Sequence, residues 1–590
     1  MCGIVGYIGK KNVIDILLHG LYSLEYRGYD SAGVCISDGI DSEIIKSVGR
    51  VSLLEEKIKS KERINASFGI AHTRWATNGE ANEVNAHPHK MGKVTVVHNG
   101  IIENSDILKE RLIKEGYSFE SDTDTIVVAA LIDYYLKDYD SITSINKAIN
   151  DLTGSYALGI MIDGEKKLYA IRKDSPLIIG IGEDEYFLAS DITAISKMTK
   201  NYILLGTNEL AVLTHDGYKI YKDNNEISKE VLTTDSEGFN IDKEGYEHFM
   251  MKEIMEEPVV VKRLIDRYSN KTEREKLDLS NYKEVDIVGC GSAKYAGMVG
   301  SSLLEEYALV KANVYSASEY RYKKKIYNSD TLIILISQSG ETADTVAALR
   351  EAKELGVKTL GIVNNPDSTI AREADSTILI EAGVEVAVAT TKAYVAQVLI
   401  LSLMAYQTAK AKNLIDISYS EYLILPTKLK EVLYRIDEYR SVANEIYNDD
   451  NIYFIGRGID YSICMEGSLK LKEISYIHSE AYEAGELKHG TISLIEDKTP
   501  VIAVITEDRL RDKTISNIKE TLARGALGIL VTNEKIELED VLTINVPKTT
   551  SLTSVILTIP TLQLLAYYTA KNRGCDIDKP RNLAKSVTVE

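Results

Sequence analysis

The second half of the chain repeats one pattern of apolar strand, glycine turn and helix, and no other feature constrains the fold as strongly. The matching segments are 285–291 and 452–458, 331–337 and 500–506, and 360–363 and 527–530, shifted by 167, 169 and 167 positions. Alternating strands and helices are typical of parallel α/β units, and three matches in nearly constant register indicate a duplication. We therefore predict two tandem α/β domains with parallel sheets, at 276–420 and 440–579. The alternative is chance similarity between common strand–turn units.

The two copies differ at the point where a ligand would bind. In open α/β sheets, ligands bind beyond the carboxyl ends of the strands. The first copy has the hydroxyl-rich segment Ser337-Gln-Ser-Gly-Glu-Thr342 there, and the second has Thr506-Glu-Asp-Arg509. Hydroxyls, an amide and a helix N-terminus can bind phosphate without a basic residue, although helix capping is the alternative role. The turn 289–293 lacks the third glycine of a dinucleotide site, which disfavours NAD.

Residues 1–239 have a different pattern, in which short strands precede turns. The strands are 95–98 and 156–162, the turns are 99–100 and 163–164, and the intervening helices are 104–115 and 124–136. This pattern predicts packed antiparallel sheets with helical cover. The charged, helical segment 246–268 lies within 240–275, which we interpret as a connector to the second module.

Length, charge and cysteine content narrow the possible functions. A chain of 590 residues exceeds one hydrophobic core, and its net charge of −19 repels phosphate backbones, which argues against nucleic acid as a partner. The five cysteines are scattered and the chain start has no basic signal-peptide segment, so we expect a cytoplasmic protein without a disulfide framework or a metal site. The most apolar helical stretch, 394–406, is too short to span a bilayer and is predicted to be a buried helix.

Cys2 becomes the first residue of the chain if Met1 is removed. Its own α-amino group, which titrates at about pH 8, is then a base beside the thiol. A cysteine near a chain start also arises by chance, so its surroundings decide between the two interpretations. The turn Asn99-Gly100 supplies an amide and a glycine N–H, donors that suit an oxyanion hole. The segment 26–31 is predicted to be a turn with a buried charge pair, and 121–124 to open a helix, where Asp122 has capping as its alternative role.

Four motifs of this half resemble the class II glutamine amidotransferase domain, which has the αββα fold of N-terminal-nucleophile hydrolases. They are Met1-Cys-Gly-Ile-Val-Gly6, His72-Thr-Arg-Trp-Ala-Thr77, Asn85-Ala-His-Pro-His89 and His98-Asn-Gly100. The resemblance covers 1–239 and implies that Cys2 is the nucleophile that forms a glutamyl thioester. It further implies a glutamine site made by Arg27, Arg74, Trp75, Thr77, Asn99, Gly100 and Asp124. In that site Arg74 would hold the α-carboxylate and Asp124 the α-amino group, Asn99 and Gly100 would stabilise the oxyanion, and Arg27 would organise the surroundings of Cys2.

Two features of the second half are ambiguous when each is taken alone. Glu466, Lys470 and Glu473 lie at i, i+4 and i+7 on one helix face, a spacing that also occurs in solvated salt-bridge stripes. His489 lies between glycines in a predicted loop, where a lone histidine is ordinary.

The tail 580–590 places Lys585 among apolar residues, Val587 included, unlike the frayed termini of most chains. Together with 337–342, 466–473 and 485–490, this tail resembles the glutamine–fructose-6-phosphate aminotransferase (isomerizing) family, also called glucosamine-6-phosphate synthases. The resemblance spans the whole chain, including the domain order, and makes the two α/β domains sugar isomerase (SIS) domains.

This second resemblance implies a sugar-phosphate site and its catalytic residues. The expected sugar-phosphate-binding residues are Ser292, Ser337, Gln338, Ser339, Thr342, Glu385, Val388 and Ala584. Lys585 would form a Schiff base with the opened sugar, Glu473 would move the C1 proton with Lys470 nearby, and His489 would assist ring opening. Ala293 departs from the family, which usually has a hydroxyl at that position.

The implied reaction converts glutamine and fructose 6-phosphate into glutamate and glucosamine 6-phosphate, the first step of amino-sugar (UDP-N-acetylglucosamine) synthesis. It needs no metal or organic cofactor, and ammonia would pass through an internal channel gated by Trp75. We expect a homodimer in which His489 acts across subunits, and no membrane partner. The alternatives are another class II amidotransferase, disfavoured by the duplicated half, and a non-catalytic sugar-phosphate sensor, which would need neither Cys2 nor Lys585.

Overall fold

The computed structural model describes residues 2–61, 66–76, 79–234, 242–328 and 330–588. The chain divides into two compact units, Met1–Ile241 with Ser586–Glu590, and Asp242–Lys585. The first unit matches the prediction of antiparallel sheets with helical cover, and the second matches the prediction of a duplicated parallel α/β domain.

The first unit is built from fifteen described strands and five described helices. The strands are β1 Gly3–Ile8, β2 Ser31–Ser37, β3 Ser42–Val48, β4 Phe68–Arg74, β5 His89–Met91, β6 Val94–Ile102, β7 Gly154–Ile162, β8 Leu168–Lys173, β9 Ile178–Ile181, β10 Tyr186–Ala189, β11 Asn201–Leu204, β12 Glu209–Thr214, β13 Gly217–Lys222, β14 Asn225–Ile227 and β15 Leu232–Thr233. The helices are α1 Val13–Leu24, α2 Val51–Lys59, α3 Ser105–Lys114, α4 Asp124–Tyr135 and α5 Ser141–Asp151, and Glu25–Arg27 and Ile192–Ala194 form single 3₁₀ turns.

These strands form two antiparallel sheets between two helical layers. The eight-stranded sheet has the order β15-β11-β9-β10-β1-β4-β2-β3, and the seven-stranded sheet has the order β14-β13-β12-β8-β7-β6-β5. One apolar cluster lies between the sheets, a second packs α1 and α2 on the outer face of the first sheet, and a third packs α3, α4 and α5 on the second. This αββα arrangement confirms the predicted fold of the first unit.

The second unit alternates strands and helices. Its elements are α6 Phe249–Met255, α7 Glu257–Ser269, α8 Lys271–Glu275, β16 Glu284–Gly289, α9 Ser292–Ala308, β17 Lys311–Ser316, α10 Ala317–Tyr320, β18 Thr331–Ser337, α11 Ala343–Glu354, β19 Lys358–Val363, α12 Thr369–Glu373, β20 Ser376–Leu379, α13 Lys392–Ala411, α14 Ser420–Leu423, α15 Leu425–Leu433, α16 Ile436–Ile446, β21 Asn451–Gly456, α17 Ile459–Ser475, β22 His478–Glu483, β23 Pro500–Ile505, α18 Arg511–Leu522, β24 Leu527–Thr532, β25 Val541–Asn545 and α19 Ser551–Asn572. Two 3₁₀ turns, Glu486–His489 and Thr491–Leu494, precede β23.

The two copies have the same topology. Their parallel sheets have the orders β17-β16-β18-β19-β20 and β22-β21-β23-β24-β25. The turns before α9 and α17 also match, since Gly291 and Gly458 have φ of +53° and +57° with nearly equal ψ. This backbone conformation favours glycine, which explains why both copies keep it there. The repeat of sheet order and turn geometry confirms the predicted duplication.

Residues 242–275, which the sequence analysis interpreted as a connector, pack into the second unit. Met250, Met251 and Ile254 of α6, and Val261 and Leu264 of α7, belong to its main apolar core. The segment therefore contributes to the core of the unit that it leads into.

Among the described residues, the helix with the length and apolar composition to cross a membrane is α19. The stretch 394–406, predicted from the sequence to be a buried helix, lies in α13 and is buried throughout. Pro560 and several threonines interrupt the apolar run of α19. The hydroxyls of Thr558 and Thr569 donate to carbonyls one turn earlier, at 2.9 and 2.8 Å, so they are satisfied within the helix. The apolar window of α19 is completely buried in the second unit, as expected for the core helix of a folded domain.

Candidate active sites

The thiol of Cys2 lies against the backbone of Trp75. The Trp75 N–H donates to Cys2 Sγ at 3.4 Å, and Sγ lies 3.7 Å from the Trp75 carbonyl oxygen. Asp30 fixes this backbone because its carboxylate accepts the Ala76 N–H at 2.8 Å. Burial raises the pKa of the Cys2 thiol above its ordinary value, and the Trp75 N–H and the Arg74 cation oppose that rise. The resting thiol is therefore neutral, and a base must remove its proton before it can attack a substrate.

Asn99 connects the Cys2 backbone to the interior of the unit. Its Nδ2 donates to the Cys2 carbonyl oxygen at 3.1 Å, and its Oδ1 lies 3.0 Å from His72 Nε2. The next residue, Gly100, has φ +134°, and a Cβ there would lie 2.0 Å from the Ser155 carbonyl oxygen. Only glycine fits at this position. The turn predicted at 99–100 is wrong, because Asn99 and Gly100 lie inside β6 and pair with Ala157 and Tyr156 of β7.

Arg74 and Asp124 are buried charged residues of the same unit. The Arg74 guanidinium donates to the carbonyl oxygens of Gly79 and Glu80 at 3.0 and 3.1 Å. The Asp124 carboxylate, at the start of α4, accepts the Ile102 N–H at 2.8 Å. Thr123, and not Asp122, is the N-cap residue of α4.

Arg27 is buried in an ion pair, but its partner is Asp191, 164 residues away, and not a residue of the segment 26–31 in which the sequence analysis placed the pair. Its guanidinium donates to the Asp191 carboxylate, and both side chains are largely buried. A carboxylate within the same turn, Asp30, accepts from the Ala76 N–H. Asp191 is a residue that the sequence analysis missed. The predicted glutamine-binding residue Thr77 lies outside the described residues.

One cavity of the second unit collects most of the residues predicted for the sugar-phosphate site. The predicted residues that line it are Ser292, Ser337, Gln338, Ser339, Thr342, Val388, Lys470, Glu473, Ala584 and Lys585. Five further lining residues that the sequence analysis did not select are Cys290, Ile336, Thr390, Gln397 and Leu583. Segments distant in the sequence therefore meet here, although the role of each residue stays a prediction.

The loop between β18 and α11 forms one wall of this cavity. Ser337 Oγ lies 2.9 Å from Thr342 Oγ1 and accepts the Gly340 N–H at 3.0 Å, so the loop is held by its own hydroxyls. Gly340 has φ +67°, and a Cβ there would lie 2.0 Å from Ser368 Oγ. Since α11 begins at Ala343, the loop presents hydroxyls beside a positive helix end, a combination that suits a phosphate.

Lys585 and Glu385 form a buried ion pair. Lys585 Nζ donates to the Glu385 carboxylate and lies 3.3 Å from Thr390 Oγ1. Glu385 also accepts the backbone N–H of Thr391 at 2.9 Å. Burial alone would raise the pKa of Glu385, but the Lys585 ammonium and the backbone donor hold it below its ordinary value. Glu385 is thus a carboxylate that positions Lys585 at the cavity.

Lys585 lies in a tail that is buried only in part, with Ser586 and Thr588 buried as well. The Lys585 side chain is 2% exposed. Val587, which the sequence analysis grouped with the apolar tail, is 40% exposed.

Lys470 is buried with two carboxylates on α17. Its ammonium donates to Glu473 and lies 3.6 Å from Glu466, and Lys470 and Glu466 are 1% and 3% exposed. These values rule out a solvated salt-bridge stripe. Ser292 Oγ, from the first copy, donates to Glu466 at 3.0 Å. Burial raises the pKa of Glu466 to about 8, against the attraction of Lys470.

His489 does not reach the cavity of its own chain. It ends the 3₁₀ turn Glu486–His489, where the sequence predicted a loop, and it is exposed. A role for His489 in this cavity would therefore need a second chain or a movement of this turn.

In the second copy, the loop equivalent to the 337–342 loop is contacted by a carboxylate of the same copy, Asp460. The Asp460 carboxylate accepts the N–H groups of Thr506 and Glu507 at 2.8 and 3.2 Å, and the Thr506 hydroxyl. Asp460 corresponds in the repeat to Ala293, which lines the cavity of the first copy. Among the described residues there is no group of three or more His, Cys, Asp or Glu side chains that could hold a metal ion.

Comparison with known families agrees with this geometry. The SIS domain family matches residues 278–406 and 445–570, and a glutamine amidotransferase domain family matches residues 72–197. The chain is thus a glutamine amidotransferase domain joined to two SIS domains.

Full-length relatives identify the particular family. The glutamine–fructose-6-phosphate aminotransferases (isomerizing) of Clostridium tetani and of Caldanaerobacter subterraneus subsp. tengcongensis are each 46% identical to the chain, with all of both chains covered. That of Thermococcus kodakarensis is 43% identical with the same coverage. The chain belongs to the glutamine–fructose-6-phosphate aminotransferase (isomerizing) family.

Solved structures match the second unit. The C-terminal domain of glucosamine-fructose-6-phosphate aminotransferase from Francisella tularensis is 36% identical, with a TM-score of 0.55, and covers 57% of this chain and 100% of its own. Tagatose-6-phosphate ketose/aldose isomerase from Escherichia coli, 14% identical with a TM-score of 0.51 over 56% of this chain and 96% of its own, shares the fold.

Proposed function

We propose that the protein transfers the amide nitrogen of glutamine to fructose 6-phosphate, forming glucosamine 6-phosphate and glutamate. The observation that carries this proposal is the buried amine of Lys585 in a cavity walled by the hydroxyls of the 337–342 loop. A hydroxyl-lined anion site beside an amine suits a phosphorylated sugar with a carbonyl group. The full-length relatives carry the same activity in their names.

In the first unit, Cys2 is the nucleophile. Its thiol gives its proton to the α-amino group that removal of Met1 exposes, and sulfur attacks the carboxamide carbon of glutamine. Asn99 Nδ2 and the Gly100 N–H stabilise the resulting oxyanion, Arg74 holds the α-carboxylate and Asp124 the α-ammonium group. Ammonia leaves, and water hydrolyses the thioester to glutamate.

Arg27, Trp75 and Thr77 complete the proposed glutamine site. The pair between Arg27 and Asp191 fixes the turn after α1, and the Trp75 backbone contacts the thiol. We assign Trp75 the additional role of controlling release of ammonia into an internal channel.

In the second unit, the Lys585 ammonium gives one proton to the Glu385 carboxylate, and the free amine adds to C2 of the opened sugar. Loss of water forms the Schiff base, and ammonia then displaces Lys585 from C2. The phosphate binds Ser337, Gln338, Ser339 and Thr342 at the start of α11, while Ser292, Val388 and Ala584 line the sugar. Glu473, whose carboxylate accepts from Lys470, moves the proton between C1 and C2. Glu385 holds the Lys585 ammonium until the substrate arrives.

His489 opens the sugar ring in this proposal, and a neighbouring subunit supplies it. Two observations support that arrangement: His489 is exposed, and it does not line the cavity of its own chain. We therefore propose a homodimer as the active form.

An isotope experiment tests the function. The protein is incubated with glutamine labelled with ¹⁵N in the amide together with one sugar phosphate at a time, taken from a panel. The products of each reaction are analysed by mass spectrometry. We expect ¹⁵N-labelled glucosamine 6-phosphate with fructose 6-phosphate and unlabelled glutamate in equal amount. Label that appears only as free ammonia with every sugar would favour a sugar-phosphate sensor, and label in a different amino product would favour another amidotransferase.

A further inference from the structure

Four histidines, which the proposed mechanism does not use, are buried in the first unit. They are His72, His87, His89 and His98, and each is at most 5% exposed. The rings of His72 and His87 stack with centroids 4.2 Å apart, and the edge of His89 meets His87 at 4.8 Å. Of these, His72 contacts a residue of the proposed oxyanion site.

The contacts of His72 fix which ring nitrogen carries the proton. Nε2 lies 2.9 Å from the His98 carbonyl oxygen and 3.0 Å from Asn99 Oδ1. A backbone carbonyl can only accept, so Nε2 must be the N–H nitrogen. Nδ1 is buried without a hydrogen-bond partner among the described residues, and burial lowers the pKa of His72 to about 3. The ring is therefore neutral, and its single N–H is shared between the His98 carbonyl oxygen and Asn99 Oδ1.

The orientation of the Asn99 amide follows from the same logic. The amide atom that faces the Cys2 carbonyl oxygen at 3.1 Å must be the NH₂ group, since that oxygen only accepts. The other amide atom, which faces His72 Nε2, is then the oxygen. The two assignments agree, and the second N–H of Asn99 Nδ2 remains available for an oxyanion.

We propose that His72 is a positioning residue, which locks the Asn99 amide with its NH₂ group toward Cys2. This inference rests on the proposed glutamine hydrolysis. Without the His72 donor, only the Cys2 carbonyl oxygen holds the Asn99 amide in this orientation, and a fraction of the molecules turns the amide by 180°. Its oxygen would then face the developing oxyanion, and a stabilising donor would become a repulsive acceptor.

If His72 served only to fill the apolar core, its replacement would have a different effect on glutamine hydrolysis. A leucine would fill similar space between β4 and β6 but would leave Asn99 Oδ1 buried without a donor. A glutamine can place an amide N–H near the position of Nε2 and so restore the lock. The comparison of leucine with glutamine therefore separates packing from hydrogen bonding.

The test uses the full-length protein with His72→Leu and His72→Gln, and measures glutamine hydrolysis. We expect His72→Leu to lower kcat by about 100-fold, the scale of losing one oxyanion donor, with little change in KM. His72→Gln should retain activity within about 10-fold of the wild type, since it keeps a donor. A glutamine analogue with an aldehyde in place of the amide, which adds to the Cys2 thiol as a hemithioacetal, should lose affinity in the leucine variant by a factor similar to that in kcat.

Two controls separate positioning from general damage. Alkylation of Cys2 by iodoacetamide needs no oxyanion site, so its rate should stay unchanged in His72→Leu. His89→Leu removes a buried ring of the same stack whose Nε2 lies 3.0 Å from Thr123 Oγ1, and it should hydrolyse glutamine within a few-fold of the wild type.

Several results would overturn the inference. They are full hydrolysis by His72→Leu, equal losses in His72→Leu and His89→Leu, an equally inactive His72→Gln, or a fall in Cys2 alkylation as large as the fall in kcat. A wild type that does not hydrolyse glutamine would instead refute the proposed function itself, and with it the role of His72.

Discussion

Lys585 and Glu385 are 200 residues apart in the chain, yet they form an ion pair in which their side chains are 2% and 0% exposed. An unpaired charge at such a site would be strongly unfavourable, so each residue stabilises the other. The chain end is thereby held at the wall of the cavity, where an amine is available to a bound sugar.

Replacement of Lys585 by alanine should abolish amino-sugar synthesis while glutamine hydrolysis continues, because the amine is removed and the first unit is untouched. Borohydride with fructose 6-phosphate should trap a covalent adduct on Lys585 of the wild type, mapped by peptide mass analysis. Lys585→Arg, which keeps the charge toward Glu385 without a nucleophilic amine, is the matched control and should be equally inactive. An adduct on another lysine would contradict the assignment.

Replacement of Cys2 by alanine should remove glutamine hydrolysis below detection, because no other group supplies the sulfur nucleophile. Binding of fructose 6-phosphate, measured by calorimetry, should stay within about 2-fold of the wild type because the two sites belong to separate units. Synthesis from free ammonia at high concentration should also persist. Hydrolysis at the wild-type rate by this variant would refute the role of Cys2.

Mixing two inactive variants tests whether His489 acts across subunits. In a dimer of Lys585→Ala and His489→Ala chains, one of the two cavities regains both residues if His489 comes from the neighbour. After denaturation and random reassociation, half of the dimers are mixed, so synthesis should recover to about one quarter of the wild-type level. No recovery, with mixed dimers verified by a purification tag, would show that His489 does not act in this way.

Glu253, on α6, gives a pH-dependent prediction. Its carboxyl group accepts the Ala387 N–H at 3.2 Å, and burial, followed by repulsion from Glu385, raises its pKa from 4.5 to about 8. Between these values the folded protein holds a proton that the unfolded chain has lost, so the free energy of unfolding falls as the pH rises. Glu253→Gln keeps the acceptor and does not titrate.

The difference in the free energy of unfolding, Glu253→Gln minus wild type, should therefore increase from pH 5 to 8 by up to about 1.4 kcal/mol per pH unit, then level off. Urea denaturation of the second unit at several pH values measures it. Parallel curves for the two proteins across this range would show that Glu253 does not titrate there.

The sequence was sufficient to predict the architecture, because short segments of the chain indicate each strand, turn and helix. Apolar strands such as 331–337 and glycines such as Gly291 and Gly458 determine the α/β units, and their spacing reveals the duplication. The sequence analysis did not predict the helix α19, because Pro560 and the threonines of this segment reduce its helix propensity. Burial in the core overrides this low propensity.

Individual contacts in the sites were less accessible from the sequence. The partner of Arg27 is Asp191, and nothing in the local sequence links these two residues. The same holds for Asp30, which fixes the backbone beside Cys2, and for Thr390 beside Lys585. Such pairs depend on how distant segments pack, which the motifs themselves do not encode.

The Asp460 carboxylate has a consequence for the duplicated half. It occupies the hydroxyl and N–H donors of Thr506 in the second copy, whereas Ala293 places no carboxylate at the corresponding loop of the first copy, which lines the cavity. A built-in anion of this kind satisfies the donors permanently, so the copy keeps its fold without a ligand. The second copy thus needs no ligand of its own at this loop, and it serves the cavity of its twin through Lys470 and Glu473 of α17.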